Sequence, residues 1–220
     1  MTHNDAMFTS DIKALGAQTL PAFTGTRIMM MPFRMEEPRE SLPPSLAHYQ
    51  ETVAALVAMA PVNRGVAYIT IDESYVGAGE HHRRPGLHVD GIGPDGKAGG
   101  WGGGGGWGKS GMLLVSNAYG CRAWRQDFVG APGLNGDCAH IAAQCEHTAE
   151  VSMLPGVVYW CGPLTVHESV AMSKPTRRQF VRLSMPSDAP WYRGYTENPL
   201  GIAPTGPIHE PRTVFMEHRA

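Results

Sequence analysis

Long apolar runs, an excess of either charge and paired cysteines are all missing from this 220-residue chain. No apolar stretch approaches the ~18–20 residues of a membrane-spanning helix, so no transmembrane segment is expected. The formal net charge is -2, with charged residues at 17%. That balance leaves no broad cationic footprint, and no nucleic-acid partner is expected. The four cysteines, Cys121, Cys138, Cys145 and Cys161, form no Cys-x-x-Cys pair. A structural zinc site is therefore not predicted. Residues 1–13 are polar and carry Asp5 and Asp11, unlike a secretory signal. The expectation is a cytoplasmic protein with reduced, mostly buried thiols.

What the chain has in plenty is glycine, 27 residues, and proline, 18. They predict many turns and short strands rather than long helices. The length and an ordinary hydrophobic fraction of 42% predict one domain over residues 1–220. A short helical turn is expected around Asp11–Ala17, and a strand over Thr26–Phe33. Ser45 reads as the N-cap of the clearest helix, Ser45–Ala60, stopped by Pro61. Its Leu46, Tyr49, Val53, Leu56, Val57 and Ala60 recur at helical spacing, so it should pack on the outside of a sheet. From Gly65 the period changes to two, predicting a long strand over Val66–Val76. Met112–Ser116 and Cys121–Val129 read as two strands of a meander. Asp137 caps a short, helix-like segment, Cys138–Glu146. Four further strands are expected over 149–154, 157–161, 165–173 and 177–185. The tail, 186–220, is too polar and proline-rich for a core strand and should wrap the core or close its mouth, with a monomer or homodimer as the assembly.

The stretch that organises the rest is Leu87-His88-Val89-Asp90-Gly91. On an extended strand His88 and Asp90 leave the same face, roughly 6–7 Å apart along the chain. An imidazole nitrogen and a carboxylate oxygen can then converge on one ion. His167, late in a second strand-like run, is the best third ligand. Two histidines and a carboxylate leave three positions open on a six-coordinate ion, the pattern of non-haem Fe(II) oxygenases. His48, His140 and His147 are expected not to be ligands. Upstream, His81, His82, Arg83 and Arg84 form a basic cluster that reads first as a solvated turn and second as a grip for an anionic substrate or cosubstrate. Downstream, residues 91–111 hold an unbroken glycine run from Gly102 to Gly106, with Trp101 and Trp107 set around it. So many glycines do not hold one conformation alone. The segment reads as a mobile lid, with both indoles used on closure.

In the last strand, alternation puts Arg178, Phe180, Arg182 and Ser184 on one face and Arg177, Gln179, Val181 and Leu183 on the other. Two inward arginines are costly unless each meets an anion.

This order of strands, His-x-Asp, distal His and late Arg resembles the Fe(II)- and 2-oxoglutarate-dependent dioxygenases, over about residues 66–185. That resemblance implies a mainly β fold with flanking helices, a double-stranded β-helix (jelly-roll, cupin-like barrel). It implies His88, Asp90 and His167 as iron ligands. It implies 2-oxoglutarate and O2 as cosubstrates, with the far carboxylate held by a basic residue on the final strand. Arg178 lies eleven positions after His167 and Arg182 fifteen. Arg178 is favoured because it opens the strand. Arg182-Leu-Ser184 also resembles the Arg-x-Ser element of some members. Tyr159 joins Arg178, Arg182 and Ser184 as a cosubstrate contact, while Trp101, Trp107 and Arg83 are the substrate contacts. The implied activity is hydroxylation of a C–H bond of a small molecule or amino acid-like compound, releasing succinate and CO2. The carboxylate ligand argues against halogenation. A cupin-like oxygenase or isomerase without 2-oxoglutarate is the main alternative, and a non-catalytic jelly-roll binding protein the second.

Overall fold

The structure is a computed structural model and describes residues 6–91, 110–186 and 191–210. It is mainly β, with 37% of residues in strands and 15% in helices. In chain order the elements are β1 (Met7–Ser10), β2 (Ile12–Ala17), β3 (Arg27–Arg34), α1 (Gln50–Met59), β4 (Val66–Val76), β5 (Met112–Ser116) and β6 (Cys121–Trp124). They continue with β7 (Gln126–Val129), β8 (Glu150–Ser152), β9 (Val157–Cys161), β10 (His167–Ser169), β11 (Thr176–Ser184), β12 (Trp191–Tyr192) and β13 (Ile208–His209). None of the described helices is long and apolar enough to cross a membrane.

The larger sheet is antiparallel, in the order β2–β9–β5–β11–β4–β3. A smaller antiparallel sheet runs β10–β6–β8. His88 lengthens it by bridging to His167, beyond β10.

Period two in β11 sorts its side chains to two different cores. Val181 and Leu183 face a cluster with Ile69, Ile71, Leu113 and Val115, closed on the far side by Tyr49, Val53 and Leu56. The helix thus covers the outside of the larger sheet with its apolar stripe. On the opposite face Met112, Leu114, Tyr159 and Phe180 pack against Ala123 and Met153 of the smaller sheet. That second layer is where the inward arginines of β11 are buried.

Several local expectations need correction. Residues 12–17 form β2, not a helical turn, because β9 offers them a free edge to pair with. Tertiary pairing outweighs a weak local preference there. The helix has no Ser45 cap: Pro44, with its fixed φ, starts a 3-10 turn over Pro44–Tyr49, and regular α-helix begins at Gln50. The expected strand Cys121–Val129 breaks at Arg125, whose N–H donates to Ala149 O. β5 and β6 do not form a hairpin; they lie in different sheets. Only His167–Ser169 of 165–173 is strand. Asp137 Oδ1 does accept from the Ala139 N–H, at 3.0 Å, but the segment that follows is a 3-10 turn, Ala139–Gln144, whose N-cap position is Cys138.

The tail lies along β3, an edge of the larger sheet. Trp191 Nε1 donates to Met30 O (2.8 Å), and Asn198 Nδ2 donates to Pro32 O and Ser41 O (both 2.8 Å). Covering an edge in this way leaves it unavailable to another chain.

Candidate metal centre

His88 and His167 are locked together by their backbones. Each N–H donates to the other residue's carbonyl at 2.9 Å. The other edge of the His88 segment is held by Val89 N–H to Gly136 O (2.8 Å) and Cys138 N–H to Leu87 O (2.9 Å). This pairing sets the two imidazoles side by side, ring centroids 4.3 Å apart. Asp90, two residues on, turns its carboxylate to both. Oδ1 lies 3.9 Å from His88 Nε2 and Oδ2 lies 3.7 Å from His167 Nε2. One ligand atom from each of the three residues falls within 4.8 Å of the others, a group that can hold a metal ion.

The ring orientations support that use. His88 Nδ1 sits 2.7 Å from Gly86 O, and His167 Nδ1 sits 2.8 Å from Thr165 O. A carbonyl only accepts, so each ring carries its proton on Nδ1 and leaves the Nε2 lone pair facing Asp90. Outer carbonyls fix the tautomer of metal-binding histidines in the same way. Burial, reinforced by the neighbouring His167, pushes His88 down to about 3, so its imidazole is neutral at ordinary pH. Burial alone would raise Asp90. Contact with His167 and His88, together with the Arg182 guanidinium, outweighs it and holds the carboxyl below its usual range. A neutral His88 imidazole and an ionised Asp90 carboxylate are protonation states that metal binding requires.

The triad forms one wall of a cavity of about 60 Å³. Arg178, Phe180 and Arg182 of β11 line it, with Arg83, Arg84 and Leu114. Arg178 is only 1% exposed. Its Nε donates to Ser116 Oγ at 3.2 Å, while its Nη1 makes no hydrogen bond. Burial lowers its guanidinium to about 10. Gly120 makes room for it: a Cβ there would meet Arg178 Cζ at 2.7 Å. Arg182 is equally buried but sits nearer the triad, Nη1 3.9 Å from Asp90 Oδ2 and Nη2 3.6 Å from Met30 Sδ.

Not every expected contact converges here. Arg83 reaches the cavity, tied to Asp72 at 3.2 Å with its guanidinium over the Phe180 ring. Ser184 keeps to the inward face of β11 but is buried against Met30 Sδ, 3.8 Å away, and does not line the cavity. Tyr159 does not line it either. Its hydroxyl donates to Ser152 O (3.3 Å) and accepts from the Leu154 N–H (3.0 Å), closing the turn after β8. Trp101, Trp107 and residues 92–109 of the expected lid lie outside the described residues. The basic cluster is only partly a solvated turn: His82 and Arg83 turn inward onto Asp72. His48, His140 and His147 stand outside the triad, as does His81, whose Nδ1 is 2.9 Å from Ser169 O.

Three residues that position the site went unremarked in the sequence. Asp72 gathers Arg83, Arg27 and His82 around one buried carboxylate. Adjacent acids, Asp72 and Glu73, on a strand read as core were a readable signal. Ser116 and Gly120, which hold and admit Arg178, carry no sequence signal of their own. Compared with protein-family models, curated proteins and solved structures, the chain matches none.

Proposed function

We propose that the protein is a non-haem Fe(II)- and 2-oxoglutarate-dependent oxygenase that hydroxylates a C–H bond of a small molecule. One observation carries the reading: the His88–Asp90–His167 triad opens onto the same cavity as Arg178, a buried guanidinium with an unbonded Nη1. A metal alone would not need that arginine. A buried cation with one hydroxyl partner is unfavourable unless an anion completes it.

The residues fit both groups. Two imidazole nitrogens and a carboxylate are the donor set of the facial Fe(II) triad. A guanidinium offers a carboxylate two parallel hydrogen bonds, which suits the far end of 2-oxoglutarate. The strand order supports the reading as well. β9–β5–β11–β4 in the larger sheet and β8–β6–β10–His88 in the smaller are neighbours in an order compatible with a double-stranded β-helix, the fold this oxygenase class uses.

Bound there, iron, 2-oxoglutarate and O2 supply an oxidative decarboxylation in which one oxygen atom enters succinate, the other enters the hydroxylated product, and CO2 leaves. The chain supplies orientation. His88, Asp90 and His167 would hold the metal ion, each offering one ligand atom. Arg178 fixes the cosubstrate's direction, and Ser116 and Gly120 fix Arg178. Leu114 and Phe180 present apolar surface that keeps water from the wall between triad and arginine.

The test is succinate formation by the purified chain with added Fe(II) and 2-oxoglutarate in ascorbate-containing buffer, the ascorbate supplying the two electrons that a substrate would otherwise give. We expect succinate that depends on both additions and is lost in His167→Ala. Stoichiometric metal binding with no succinate would overturn the 2-oxoglutarate assignment and leave a metal-binding barrel without that cosubstrate.

A further inference from the structure

The charge lining the cavity exceeds what the triad and one cosubstrate can use. Four guanidinium groups line it, those of Arg83, Arg84, Arg178 and Arg182. Two carboxylates answer them. Asp72 pairs with Arg83, and Asp90 stands 3.9 Å from Arg182. Asp72 is already shared with Arg27, at 3.4 Å. A divalent ion and the 2-oxoglutarate dianion cancel each other, so at least two positive charges remain. Nor does the sequence of residues 92–109 bring a surplus of acid: Asp95 is outnumbered by Lys97 and Lys109.

Arg84 is the cation this excess singles out. It forms no ion pair among the described residues, and its one hydrogen bond runs from Nη1 to the main-chain oxygen of Asn135, at 2.7 Å. That carbonyl is aimed by an unusual turn. Asn135 and Gly136 both have positive φ, 56° and 72°. The turn is braced against the metal strand through Val89 N–H and Gly136 O. A non-glycine residue in the left-handed region is strained and persists where its surroundings require it. Here it orients one edge of the guanidinium and leaves the other donors of the fork to the cavity.

We propose that the compound oxidised at this site is itself an anion, carrying a carboxylate, sulfonate or phosphate that Arg84 binds. This rests on the reading that Arg178 takes the far carboxylate of 2-oxoglutarate. Arg84 is then the residue that selects the substrate and sets which of its carbons faces the triad.

The test uses the full chain loaded with Mn(II) and 2-oxoglutarate under anaerobic conditions. It is titrated calorimetrically with a panel of small carboxylates, sulfonates and phosphate monoesters, each paired with the amide or alcohol of the same skeleton. We expect at least one anion to bind while its neutral partner does not. A charge-assisted hydrogen bond is worth about 1.5–3 kcal/mol, so Arg84→Gln should weaken that anion by about 10- to 100-fold. Arg84→Lys should recover part of the loss, and neutral compounds should be indifferent to both changes. Neutral partners that bind as well as the anions, no binding by any anion, or an Arg84→Gln variant with unchanged anion affinity would each overturn the proposal. The wild-type selectivity stands even if a variant misfolds. Substrate-free succinate formation is measured separately, so failure of the oxygenase reading shows in that assay and failure of the anion proposal in the titrations.

Discussion

Gly120→Ala separates what the cavity needs from what the fold needs. The added Cβ would lie 2.7 Å from Arg178 Cζ, 2.7 Å from Met172 Cε and 2.9 Å from Arg178 Nη1. Every one of these atoms ends a flexible side chain, so the clash is relieved by swinging the guanidinium and the thioether away. The backbone does not resist, because Gly120 is not among the glycines with positive φ. Mild overpacking of this kind costs about 1 kcal/mol. For a chain of this size that lowers Tm by about 2–4 °C. The cosubstrate bears the larger loss. An arginine displaced from its place beside Ser116 no longer meets a carboxylate with two aligned donors. Losing one charge-assisted bond, at about 1.5–3 kcal/mol, raises Kd by about 10- to 100-fold. Isothermal titration of 2-oxoglutarate into Mn(II)-loaded protein measures this, with thermal unfolding in parallel. Gly136→Ala is the contrast. Its Cβ would strike the Val89 carbonyl, a backbone atom, and its φ is 72°, so there the fold itself should suffer. A Gly120→Ala protein that binds 2-oxoglutarate as the wild type does would refute the assignment of Arg178.

Arg178→Met removes a buried charge with a single hydroxyl partner, so the ligand-free protein should gain about 1–3 kcal/mol while 2-oxoglutarate binding disappears; a lower Tm would show that the arginine is structural. His167→Ala should abolish stoichiometric Co(II) binding followed by visible absorbance. His81→Ala, outside the triad, should keep it; equal loss in both would remove the basis for the centre. In metal-free protein, His88 is held near 3 against an ordinary 6.5, so the unfolded chain binds more protons in between. Stability should therefore fall as pH drops through that window. His88→Gln should flatten the slope in a pH series of unfolding curves, and an unchanged slope would point to another group.

The triad was legible because its grammar is local. His88 and Asp90 share a face by strict alternation, and β11 likewise sends Arg178, Phe180 and Arg182 to one side. The strand Val66–Val76 and the outer helix were equally readable from period. Sheet membership was not. Nothing within Cys121–Val129 says that its first half crosses to the other sheet and that Arg125 breaks it. Residues 12–17 become a strand only because β9 has an edge to fill. Tyr159 is the same lesson at side-chain scale. The family resemblance put it among the cosubstrate contacts, but the turn after β8 supplies the partners for its hydroxyl. Asp72 could have been noticed as an acid on a strand read as core, with His82 and Arg83 of the basic cluster ten and eleven positions on, whereas Arg27 reaches it from another strand.

The mutual N–H to carbonyl clasp between His88 and His167 makes two metal ligands part of a single closure. Prising that zipper apart by even one rung scatters the imidazoles together, whereas extracting the ion with a chelator need not open it. Deuterium uptake at those two amides should slow sharply when metal is added and remain nearly indifferent to 2-oxoglutarate, whose proposed partner is Arg178. A metal ion held there would be a rivet through the flap that its own ligands fasten.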